Sequence, residues 1–204
     1  MDPCQLPYAH LNLRQNPFGE LCAADWTALA RVDVKSITLE LTDPHIAVQF
    51  VGEKGYGKTT HLLAIRAQFA NAAYVHIPEG QRIKVPVGNP VLIDEAQRLT
   101  LWQQVRVFRQ RVPLVLGTHR DFTKSLQRAG RRVQTIHVQY GTNVQRLYEL
   151  ANARIAWARR SSGPVPTVTQ ETAQELLRKF GPDLRSSLHE LYVRFQNLAR
   201  VCDV

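Results

Sequence analysis

The chain has 204 residues and a formal net charge of +9, with 44% hydrophobic and 21% charged residues, the proportions of a folded globular protein rather than a disordered or fibrous one. No run approaches the roughly 18 apolar residues of a membrane span, and the N-terminal MDPCQLPYAHLNLRQNPF has no basic segment followed by an apolar stretch, so neither a membrane protein nor a secretory signal is expected. Three cysteines, Cys4, Cys22 and Cys202, form no C-x-x-C pair and no metal-ligand spacing with the seven histidines, and the expected compartment is the cytosol.

The first 45 residues are irregular and are expected to lead into the core. NPFGE (16–20) marks a turn, and short helices are predicted at 24–31 and at 34–41, the second closed by Asp43-Pro44. HIAVQFV (45–51), stopped by Gly52, is a short apolar run suited to a parallel strand buried on both faces. Residues 58–70 (KTTHLLAIRAQFA) have helical composition and spacing. Four more strands are predicted at 73–77, 90–94, 112–117 and 133–138, with helices at 100–110 and 121–130. Over 46–140 this alternation predicts an α/β core, a five-stranded parallel sheet with helices on both faces. The connection between 77 and 90 is only PEGQRIKVPVGN, near the shortest workable parallel crossover, and its prolines and glycines leave no helix there.

From 141 to 204 the pattern turns helical. Val144, Leu147, Ala151, Ile155 and Ala158 share one face, and Thr169 is a suitable N-cap, with Glu171 in the first turn, for a helix through Phe180. Gly181-Pro182 ends that helix, and Leu184, Leu188, Leu191, Phe195 and Leu198 form a stripe in the next. The stripe lasts about two heptads, which suits core packing better than a coiled-coil seam. These segments predict a small all-α lid of three helices.

The charge is unevenly placed. Residues 1–97 carry a net −2 and residues 161–204 balance, whereas 98–160 hold 13 Lys/Arg against Asp121 and Glu149, a net +11. That middle segment suits an anionic partner, a nucleic acid or a nucleotide phosphate.

Two motifs carry chemistry. Gly52-Glu53-Lys54-Gly55-Tyr56-Gly57-Lys58-Thr59 fits G-x-x-x-x-G-K-[ST], between an apolar strand and a helix. Glycines let the backbone curl so that successive N–H groups face a polyphosphate, and the helix opening at Lys58, Thr59 and Thr60 adds its N-terminal donors. Lys58 would reach the outer phosphates and Thr59 would ligate magnesium. Thirty-six residues on, VLIDEAQ (91–97) ends an apolar strand in two carboxylates. Asp94 would hold the metal, and Glu95 would orient and deprotonate an attacking water.

Together with the NPF element and the helical C-terminus, these motifs resemble the AAA+ ATPases. More narrowly, they resemble the branch holding bacterial transposition ATPases and secretion-associated homologues, in which NPF and DEAQ recur. The resemblance implies ATP with Mg2+, and nucleotide-dependent assembly into a ring or filament, often on duplex DNA. It also implies site residues. Thr118, ending VPLVLG, falls at the first-sensor position, with His119 as its alternative; Arg128, Arg131 and Arg132 fall where an arginine finger acts on a neighbouring subunit's nucleotide, Arg131 being the first choice. Arg185 matches the second-sensor arginine, and Pro17 and Phe18 match the segment lining the adenine pocket. The short 78–89 connection departs from unfoldases and translocases, which argues against threading, although Arg82 and Lys84 could touch DNA from it. The function expected is that of an ATP-hydrolysing, DNA-contacting switch. The alternative is an ATP-binding signalling or scaffold module acting through protein partners with little turnover, and a small-molecule kinase is a poorer fit to LIDEAQ.

Overall fold

The computed structural model describes residues 7–22, 25, 29 and 34–204; the helix expected at 24–31 falls almost wholly outside these, as does Cys4. The chain divides into two compact units, one of residues Val32–Gly141 and the other of Met1–Arg31 with Thr142–Val204.

The first unit holds helix α1 (Lys35–Glu40), strand β1 (Ile46–Val51), helix α2 (Lys58–Arg66), strands β2 (Ala73–His76) and β3 (Val91–Asp94), helix α3 (Leu101–Phe108), strand β4 (Leu114–Thr118), helix α4 (Thr123–Arg128) and strand β5 (Arg132–His137). The five strands form one sheet in the order β2-β3-β4-β1-β5, every neighbouring pair parallel. All six residues of β1 are buried, as expected for a strand covered on both faces. Its one polar member, Gln49, donates to Asp121 Oδ1 (2.7 Å) and to the Thr123 and Thr135 hydroxyls, and accepts from the Phe122 amide, so a buried amide fixes the β4–α4 connection.

The crossover from β2 to β3 contains no helix, as its composition predicts. Gly88 is pressed against the start of β2, where a Cβ would fall 2.3 Å from Ala73 Cβ. Ile83 and Val85 pack on the sheet's core, and Gln103 of α3 donates to the Ile83 carbonyl (2.9 Å). The connection is therefore fastened at both its ends and its middle.

Arg131 corrects an expectation. Its side chain is 5% exposed and its guanidinium donates to five backbone carbonyls, those of Phe108 (2.8 Å), Pro44 and Ile46 (3.2 Å each), Val112 (2.8 Å) and Gln110. It braces the lower edge of the sheet, where β1 begins and α3 hands over to β4. A guanidinium buried and committed in this way is not presented to a neighbouring subunit's phosphate. Arg132 is exposed and pairs with Asp43 (3.5 Å) and Glu40 (3.8 Å), and Arg128 is exposed at the end of α4.

In the second unit, helices α5 (Val144–Ala158), α6 (Gln170–Phe180) and α7 (Leu184–Gln196) are capped by Asn143, Thr169 and Asp183, whose side chains accept from first-turn amides. Leu147, Ala151, Ile155, Ala173, Leu176, Leu191 and Phe195 make its core, so the stripe in α7 is core packing. The NPF segment anchors here. Asn16 is buried, donating to the Tyr192 carbonyl (3.0 Å) and accepting from the Phe18 amide (3.0 Å). The Phe18 ring meets Phe195 edge-on at 4.9 Å and lies under the Arg154 guanidinium. Arg154, buried, donates to the Pro17 (2.8 Å) and Gly19 (2.7 Å) carbonyls, and burial lowers its pKa to about 10, which leaves it charged at neutral pH.

Arg131→Ala is expected to lower the unfolding free energy by about 3 kcal/mol or more, because buried carbonyls lose their donor. Arg128→Ala should cost about 0.5 kcal/mol or less, as exposed substitutions do. Urea unfolding of the two variants measures the difference.

Candidate phosphate-binding site

The site is built at the carboxyl edge of the sheet, where β1 runs into a glycine turn and the turn opens α2. Gly55 (φ 93°) and Gly57 (φ 89°) hold left-handed conformations that a side chain would strain, and Gly57 is the residue from which α2 starts. Gly52 is buried; Glu53 and Lys54 are exposed, and Tyr56 and Thr60 are half-buried. Lys58, 4% exposed, directs Nζ to the Gly52 (2.8 Å) and Glu53 (2.9 Å) carbonyls.

Thr59 and Asp94 meet. The Thr59 hydroxyl donates to Asp94 Oδ2 at 2.7 Å, which joins the two predicted metal ligands although they come from different elements. Asp94 is buried, and the same oxygen lies 3.3 Å from the Tyr74 hydroxyl and from His76 Nδ1, while Oδ1 accepts from the Glu95 amide (3.1 Å). Burial first, then the Asp94 charge and hydrogen bond, push the Tyr74 phenol well above its ordinary pKa, so it remains a donor to that carboxylate. The neighbouring strand leaves room for this arrangement. A Cβ on Gly117 of β4 would fall 2.7 Å from Asp94 Oδ1.

Glu95 turns the chain out of β3 in a left-handed conformation (φ 60°, ψ 42°). Its carboxylate accepts from Gln97 Nε2 (2.8 Å) and lies 3.3 Å from Arg98 and 3.5 Å from His119 Nε2. Arg98 also donates to the Ile77 carbonyl (2.7 Å), which ties the Glu95 turn to the start of the β2–β3 connection. Burial alone would raise the Glu95 pKa, but His119, Arg98, the Gln97 hydrogen bond and Lys58 together lower it.

At the end of β4, Thr118 is fully buried and its hydroxyl is used locally, donating to the Arg120 carbonyl and accepting from the Arg120 amide (3.0 Å each). His119 is the residue that faces the site. Its imidazole lies 3.5 Å from Lys58 Nζ and Glu95 Oε1 and 3.3 Å from Glu53 Oε2, and its amide donates to Gln97 Oε1 (3.2 Å). Tyr74, His76, Gln97 and Arg98 were not expected from the sequence. The signal for the first two is the i, i+2 alternation of β2, whose His76 registers with Asp94. In the helical unit, Arg185 is exposed in the first turn of α7, while Pro17 and Phe18 are the anchor described above.

The donor set fits a magnesium triphosphate. Thr59 and Asp94 present hard oxygen donors in contact. That is the arrangement magnesium takes when phosphate oxygens and water complete its shell.

No family model and no curated protein matches the chain. Among solved structures, two variants of Thermotoga maritima RuvB superpose with TM-scores of 0.52. A proline-to-glycine variant is 15% identical, over 93% of this chain and 69% of that one. An arginine-to-alanine variant is 16% identical, over 88% and 64%. The RuvB Holliday junction branch migration motor itself gives 18% identity over 83% and 59%, with a TM-score of 0.48. The chain spans 59% to 65% of the length of the RuvB motor and of two further Thermotoga maritima RuvB variants. The likeness, the strand order and the C-terminal helices agree on one architecture. The fold is that of the AAA+ proteins. Among the described residues no helix is long and apolar enough to cross a membrane.

A lowered folded-state pKa keeps Glu95 ionised below the ordinary carboxylate range. Carboxyl-carbon NMR should place its titration below that of a free glutamate, and Arg98→Ala should move it upward.

Proposed function

We propose that the chain binds and hydrolyses ATP with Mg2+, assembles with copies of itself when ATP is bound, and acts on duplex DNA in the manner of a transposition regulator. The 2.7 Å contact of Thr59 with Asp94 at the mouth of a glycine turn carries this reading. Magnesium at this site would supply Lewis-acid stabilisation of the negative charge on the phosphate. The turn's amides and the N-terminus of α2 bind the polyphosphate, with Lys58 on its outer groups. Thr59 and Asp94 would hold the metal, with Tyr74 and His76 orienting Asp94.

Glu95, ionised at neutral pH, accepts the proton of a water positioned beside it. Gln97 and Arg98 hold that carboxylate, and His119 stands between it and Lys58, so the sensing role belongs to His119 with Thr118 shaping its turn. Arg128 takes the proposed arginine-finger role in trans, since it is exposed and precedes β5. Arg185, exposed and bearing five donors, is the proposed second sensor. The proposed duplex DNA contact rests on the exposed cations of the sheet unit, among them Arg111, Arg120, Lys124 and Arg128, and on exposed Arg82 and Lys84. A protein-directed switch with little turnover is the second reading, favoured by the helix-free 78–89 connection.

Lys58→Ala should abolish ATP binding measured by calorimetry. Glu95→Gln should retain binding while turnover falls about 100-fold or more, as loss of a general base does; full turnover in this variant rules Glu95 out as the base. Sizing by light scattering with a non-hydrolysable ATP analogue, with and without duplex DNA, should show growth with nucleotide and further growth with DNA that fades as salt rises. Growth with nucleotide but no DNA effect at low salt selects the protein-directed reading.

A further inference from the structure

Helix α3 presents a face that the phosphate site does not use. Leu101, Trp102 and Val105 are 78%, 86% and 47% exposed. Arg106 and Arg109 are exposed on the same side, because positions 101, 102, 105, 106 and 109 fall within about 140° of arc at the helical 100° per residue. The rest of the helix is fixed. Val107 on the opposite side and Phe108 at the edge of the exposed arc are buried in the sheet's core, Thr100 and Gln103 form a capping box, and Gln103 holds the Ile83 carbonyl. A rigid element therefore presents a tryptophan and two aliphatic side chains to water.

The charge along the chain on this helix and its flanking loops has one sign. Among the described residues no ion pair engages Arg106, Arg109 or Arg111. Between Glu95 and Asp121 the sequence holds no carboxylate. Tryptophan and arginine are among the residues that dominate binding energy at protein interfaces. A nucleic acid strand would stack on Trp102 and pair with the arginines, but it would leave Leu101 and Val105 in water. An acidic, apolar protein segment uses all five.

We infer that the exposed face of α3 is a docking site for a partner protein that presents a segment of apolar anchors flanked by carboxylates. The apolar anchors cover Leu101, Trp102 and Val105, and the carboxylates pair with Arg106 and Arg109. The inference does not require the phosphate site to be active. The face begins three residues beyond Arg98, the residue that holds Glu95, so an occupant sits on the element that follows the Glu95 turn.

The test pans a phage library of random 16-residue peptides against the full chain, in parallel with Trp102→Ala. Enriched peptides should combine Asp or Glu with Leu or aromatic residues. Synthetic versions, followed by fluorescence anisotropy, should lose at least about tenfold in affinity for Trp102→Ala and for the Arg106→Glu, Arg109→Glu double variant. Changing the peptide carboxylates to amides should weaken binding in the same way. All these substitutions are on the surface, and thermal melting checks that the variants remain folded. Peptides without carboxylates, peptides that bind Trp102→Ala equally well, or no enrichment would each overturn the inference. So would labelled oligo-dT that binds through Trp102 while acidic peptides do not, or self-association, seen by sedimentation, that Trp102→Ala abolishes.

Discussion

A threonine hydroxyl and an aspartate carboxylate in contact across a glycine are the constraint on which the site depends. Thr59 sits on the helix that leaves β1, and Asp94 ends β3; β4 lies between those two strands. The Asp94 carboxylate packs directly against β4 at Gly117, where a Cβ would fall 2.7 Å from its Oδ1. An alanine methyl there would occupy the space of the Asp94 carboxylate or displace it. The parallel order of the sheet thus has a local chemical consequence: ligands distant in sequence are brought together at its edge.

Two adjacent carboxylates receive opposite treatment. Asp94 is buried among hydrogen-bond donors, namely a threonine, a tyrosine, a histidine and a backbone amide. Glu95 is turned out of the strand by its left-handed backbone and sits among cationic or potentially cationic groups. One carboxylate is fixed by its hydrogen bonds, and the next is kept ionised by its neighbours. Separate environments for neighbouring acids are a common means of giving them separate tasks.

Much of this was legible before the fold. Apolar runs at β1, β3 and β4 identified buried strands because their periodicity and punctuation left no other reading, and the glycine motif located the turn. The expectation about the 78–89 connection also matched, since prolines and glycines exclude a helix for local reasons. Side-chain direction was less legible. Arg128, Arg131 and Arg132 look alike in sequence, yet the middle one turns into the protein, because only the tertiary fold brings five free carbonyls together at one point. Thr118 and His119 posed the same difficulty: which of them faces the site is decided by the turn after β4. The NPF segment carried no sign that its phenylalanine would pack on Phe195, a contact 177 residues away in the chain.

The Arg131 brace has a mechanical consequence. It fastens the beginning of β1 to the segments entering β4 and leaving α3, so the floor of the sheet behaves as one welded plate. Moving any one of these segments along the sheet would break its bond to the shared guanidinium, so their relative register is pinned at a single side chain.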